Sequence, residues 1–208
     1  ISSLSAQQPA DPGKTWKEED SIDDRWNDTD IGPFLASVLR TPGGPIAKGL
    51  SIRLGDPAST AVGYDLQTGS LRVAWSGNFL SFDARRYGIT STPGIAGTVL
   101  FLCSRPSWGT SPVHYQGMYQ HGRRLVLSYR VADSTVLESP GPGKHEGSLT
   151  ISRTLEIGSH KQPLSLTLID KASETSVEKN AARVTWQGNT TQVVVLAPGI
   201  EPRVDGNA

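Results

Sequence analysis

The chain has a single cysteine, Cys103, so no intrachain disulfide forms. A C-x-x-C-H haem attachment and any multi-cysteine zinc or iron–sulfur site are excluded with it. No apolar run approaches the roughly 18–20 residues that a membrane-crossing helix needs. An excess of either charge is also missing: 20 Lys and Arg balance 20 Asp and Glu. No global field then favours nucleic acid or an anionic lipid surface. Neither H-E-x-x-H, G-x-S-x-G nor G-x-G-x-x-G occurs, so zinc-protease, hydrolase-elbow and dinucleotide readings lack their starting residues. The "PGKT" at 12–15 has Gln8 where a phosphate loop needs its first glycine, and no strand precedes it.

What the chain does have is turn formers, with 22 Gly and 14 Pro beside 36% hydrophobic residues. That mixture suits short strands joined by tight turns. From Gly49 onward about a dozen strand-sized segments follow one another, many of them alternating, as in Leu125, Leu127 and Tyr129 against Val126, Ser128 and Arg130. "LQTGS", "HGRR", "ADS" and "QGNT" are hairpin connections. "GPFLASVLR" suits a short helix or a strand, "PLSLTLID" reads as a strand, and "RRYGITSTPGIAG" and "ESPGPGKHEGS" read as loops, the second of them mobile. No helical period separates the strands, which argues against a parallel α/β sheet. The expected fold is all-β, an antiparallel two-sheet sandwich of jelly-roll or supersandwich type over residues 31–198, with Cys103 buried. An irregular acidic arm, 1–30, precedes it and a tail or linker, 199–208, follows. Ile1 and the small polar residues after it suit a position just behind a removed signal peptide, so a secreted or periplasmic location is expected.

Aromatic rings beside amides and carboxylates suit sugars, which present apolar ring faces and hydroxyl edges. Trp75, Asn78 and Asp83, with Trp108, Tyr115 and Tyr119, are the expected ligand-binding residues for a neutral or weakly charged glycan. Core packing of the same rings is the competing account. No catalytic residue and no metal ligand is assigned. The histidines are His114, His121, His145 and His160; the first two differ by an odd number and on one regular strand face opposite sides. A carbohydrate-active enzyme remains the alternative, with Asp65, Asp83, Glu138 and Glu156 as the carboxylates to examine. A purely structural self-assembly subunit is the other.

Trp75-Ser76-Gly77 after a strand bearing Asp65, then Tyr115, Gly117, Tyr119, His121 and Gly122 before Leu127-Ser128-Tyr129, carry a likeness. Over about residues 31 to 170 the chain resembles a domain of unknown function in secreted planctomycete and verrucomicrobial proteins. There the domain looks like a module ahead of others, which can include a sorbosone-dehydrogenase-like propeller and a cytochrome c domain. The resemblance implies a non-catalytic accessory binding or assembly domain whose partners are other domains or subunits of the same secreted protein. Haem would belong to a downstream domain, leaving this chain without a cofactor of its own.

Overall fold

The computed structural model describes residues 21–55, 60–145, 148–170, 174–178, 181–186 and 189–194. Residues 1–20 of the acidic arm, with Trp16, and the tail 199–208 lie outside the described residues. Most of the described chain is strand and almost none is helix, as composition implied, but the first sheet closes on itself. Strands β1 (Phe34–Thr41), β2 (Gly44–Leu54), β3 (Thr60–Asp65), β4 (Ser70–Ser81) and β5 (Gly94–Leu102) form a five-stranded barrel. Antiparallel ladders join each strand to the next, and one parallel bridge, Arg40 opposite Gly94, closes the ring. The expected sandwich of two open sheets is thus replaced, in its first layer, by a barrel. Bulges at Ser37/Leu39, Gly63/Tyr64, Ala74/Trp75 and Gly77/Leu80 supply the extra bend and twist that closure demands.

The barrel is filled by Leu39, Ile46, Ala61, Val73, Trp75, Phe79, Leu80 and Phe82. Trp75 is fully buried there, stacked on Phe79 at 6.1 Å. Gly63 makes room for its neighbours: a Cβ at that position would lie 2.7 Å from Val73 and 2.9 Å from Leu39.

A second sheet runs as an antiparallel meander, β6 (Val113–His121), β7 (Arg124–Val131), β8 (Ser134–His145) and β9 (Ser148–Ile157). Its inner face, Leu125, Leu127, Tyr129, Val131 and Val136, shares one core with the outer face of the barrel, Leu50, Ile52, Leu54, Val62, Tyr64, Leu71 and Ala74. Trp108 enters the same core and meets Tyr129 edge-on. A third, separate meander comprises β10 (Glu174–Glu178), β11 (Ala181–Trp186) and β12 (Asn189–Val194).

The hairpins between β3 and β4, β6 and β7, β7 and β8, and β11 and β12 fall where the turn residues placed them. "GPFLASVLR" forms β1, and Cys103 is buried. Two other expectations fail. "ESPGPGKHEGS" is no loop at its start: β8 continues through Pro140-Gly141-Pro142-Gly143, each opposite a residue of β9. Proline costs nothing on a side that needs no donor. The β7 ladder ends at Glu138, where the Leu125 carbonyl receives the Ser139 hydroxyl at 3.0 Å instead of an N–H that Pro140 lacks. Conversely, "PLSLTLID" is not a strand. Leu164 and Leu166 pack onto the shared core, and the segment is held by side chains and by one bond from Thr167 N–H to the Ser107 carbonyl, 2.6 Å.

The described end of the acidic arm is also less irregular than expected. It makes a single helical turn, α1 (Arg25–Asp28), and a bridge from Ile22 to Arg85. Asn27 grips the Phe82 backbone with both ends of its amide, 2.7 and 3.0 Å, and Trp26 donates its indole N–H to the Arg86 carbonyl at 2.8 Å.

Candidate functional site

Where β6 parts from the barrel, the inter-sheet space opens into a groove of about 560 Å³. Val38, Lys48, Leu66, Gln67, His114 and Tyr115 are among its lining. Two irregularities shape it. On the barrel side, Val38 of β1 stands against Ala47 and Lys48 of β2, a bulge that turns Val38 outward to 40% exposure. On the other, β6 is an edge strand, hydrogen-bonded to β7 only. Tyr115 lies opposite the buried Tyr129 and so on the inner face, but at the mouth, where its ring is 38% exposed. Partial burial pushes its phenol pKa up, which keeps the hydroxyl a neutral donor. The groove therefore offers an aromatic ring, an apolar side chain in Leu66 and polar groups from Gln67 and Lys48.

The expected glycan patch is not assembled as one surface. Trp75 is inside the barrel, its indole N–H donating to the Asn78 and Phe79 carbonyls at 3.1 and 2.8 Å. Trp108 is inside the inter-sheet core. Both rings follow the packing account. Asn78 is exposed beside the β4 bulge, and Asp83 is paired with Arg85 at 2.7 Å, which holds its carboxyl down at about 2. Only Tyr115 and Tyr119 keep exposed rings, and they face opposite ways: Tyr119 stands opposite Val126 on the outer face of the sheet, 65% exposed. The groove residues Lys48 and Gln67 carry no motif, which is why sequence reasoning missed them.

The four carboxylates of the hydrolase alternative stand in separate surroundings. Asp65 accepts from the Gln67 N–H and the Thr68 hydroxyl, at 2.9 and 3.1 Å. Asp83 holds Arg85, Glu156 is exposed on the outer face of β9, and Glu138 points inward, completely buried.

Glu138 is the chemical centre of the inter-sheet core. Its Oε1 accepts from the Tyr64 hydroxyl and from Arg153 Nε, both at 2.6 Å, and its Oε2 accepts from the Tyr129 hydroxyl at 2.5 Å. Burial, and next the negative charge of Glu138, push both phenol pKa values well up. Burial opposes charge on Arg153, but Glu138 outweighs it and the guanidinium pKa rises. A second buried acid, Asp170, takes three bonds of 2.7 Å from the Ser104 N–H and hydroxyl and the Arg105 N–H. Burial raises its pKa, and those three donors more than reverse the effect. The same burial, with Asp170 nearby, pushes the Cys103 thiol up to about 11. Neither acid lines the groove, so both read as locks between segments.

Among the histidines, the bulge between Tyr115 and Gly117 overturns the alternation argument. Gln116 is the extra residue, and Gly117 carries a φ of 146°, in the region that favours glycine. His114 opposite Arg130 and His121 opposite Arg124 consequently share the outer face. His160 is exposed in the chain after β9, and the side chain of His145 is outside the described residues.

These features define the class: an all-β protein in which a four-stranded sheet covers one side of a closed five-stranded barrel through a core centred on a buried ion pair. Within it, residues 62–138 match the model of a family described as Domain of unknown function (DUF6797). The matched span runs from β3 into β8 and holds Tyr64, Tyr115, Tyr129 and Glu138. It is narrower than the 31–170 of the resemblance, and Arg153 lies beyond it. No curated protein and no solved structure matches the chain.

Proposed function

We propose that the chain is a non-catalytic binding module of a secreted multidomain protein, taking a glycan at the groove beside β6. The observation that carries this is the partly exposed Tyr115 ring in one groove with Leu66, Gln67 and Lys48. A pyranose ring stacks on an aromatic face while amide and ammonium groups bond its hydroxyls. Placement beside a cytochrome c domain in a planctomycete-type protein rests on the resemblance alone. Haem would then sit in that neighbour, and a gene product continuing into a C-x-x-C-H segment would support it.

Calorimetric titration with soluble polysaccharides tests the binding reading. Tyr115→Ala should weaken the interaction about tenfold with little change in Tm, since the ring already stands partly in solvent. Absence of binding at millimolar ligand, or unchanged affinity in Tyr115→Ala, would remove the groove from consideration.

A further inference from the structure

Net charge hides a local asymmetry. From Ala84 to Ala132 there is no Asp or Glu, while Arg85, Arg86, Arg105, Arg123, Arg124 and Arg130 all fall in that span. The fold gathers part of this excess on one flat surface. Arg124 and Arg130 project from the outer face of β7, both exposed, and neither makes an ion pair with any described residue. His121 stands opposite the first and His114 opposite the second, an arrangement that exists only because the bulge at Gln116 resets the register. Six residues along one strand put the two arginines about 20 Å apart. Between them lie the Tyr119 ring, half-buried Val126, and Gln116 bonded to the Ser128 hydroxyl at 3.3 Å. Among the described residues of this sheet, Asp133 lies in the β7–β8 turn, and Glu156 lies on β9, two strands from β7.

We infer that this outer face binds an anionic polysaccharide, whose carboxylate or sulfate groups meet Arg124 and Arg130 while a sugar ring rests on Tyr119. The inference deepens the glycan reading by adding a charged ligand class and a second face. A guanidinium fork fits either oxyanion with two parallel bonds. The single exposed ring, flanked by amide and hydroxyl groups, favours a hydroxylated chain over single-stranded nucleic acid, which is held by successive stacking rings.

The probes are polygalacturonate, its fully methyl-esterified form, dextran sulfate, dextran and an oligo-dT, titrated against the whole chain at two salt concentrations. Polygalacturonate or dextran sulfate should bind, with affinity falling as salt rises. Preference for one over the other distinguishes carboxylate from sulfate. Arg124→Gln and Arg130→Gln should each weaken binding about fivefold with Tm unchanged, as suits an exposed ion pair. Arg183→Gln, which removes the same charge from an exposed residue of β11, should leave it alone. Binding of the methyl ester or dextran as tightly as the charged forms overturns the anionic ligand and leaves the glycan reading standing. Tighter binding of oligo-dT, or indifference to both arginine substitutions, also overturns it. Failure of every polysaccharide to bind ends both readings together.

Discussion

The two cores of this molecule are built on opposite plans. Inside the barrel the packing is apolar throughout, and the one polar group of Trp75 is satisfied by the backbone of its own strand. Between barrel and sheet the packing is interrupted by a carboxylate with three donors from β3, β7 and β9. An apolar core accepts many arrangements of similar volume. A buried charge with directional partners accepts few, because any sliding of one layer over the other leaves it unsolvated. The barrel is therefore held by volume and the docking of the second sheet by geometry. This is a specificity role, to be tested by substitution.

The largest effect should come from Glu138→Ala, which leaves the Arg153 guanidinium buried without its counter-ion. A loss of about 3–5 kcal/mol in denaturant unfolding is expected. Trp75→Ala should cost a similar ~3–5 kcal/mol, but by opening a cavity in the barrel. Near-isosteric changes then separate the two plans. Leu80→Met, inside the barrel, should cost less than about 1.5 kcal/mol. Glu138→Gln, equally conservative in volume, should cost about 2 kcal/mol or more because a charged acceptor is lost among buried donors. Equal costs for these two would erase the distinction.

Smaller still, Tyr64→Phe should cost about 1.5–3 kcal/mol, the range for a hydrogen bond to a charged group. The phenols also give a pH signature. The folded pKa values of Tyr64 and Tyr129 are raised, so their contribution to stability is full below about pH 10 and is lost as pH rises above it. Of the five tyrosines, Tyr64 and Tyr129 should ionise only as the protein unfolds, read by phenolate absorbance against circular dichroism. Release of all five before unfolding would mean an open inter-sheet core. At the quiet end, Cys103 with its thiol near 11 should resist alkylation at pH 8 until denaturant is added.

The sequence by itself determined most of the strands and most of their hairpins. Alternation such as Leu125, Leu127, Tyr129 is a local property of the backbone pleat, and glycine-bearing turns such as "LQTGS" need no distant partner. What only the tertiary structure decided was which faces those strands show. Closure of β1 onto β5, the burial of Trp75 and Trp108, the pairing of Pro140 and Pro142 with β9, and the union of Glu138 with Tyr64 and Arg153 all depend on residues far apart in the chain. The bulge at Gln116 is the sharpest case. One added residue reverses the facing of every side chain beyond it, because the strand period is two, and it brings His114, Tyr119 and His121 to a common surface. Register is a property of paired strands, so it entered only when β6 met β7.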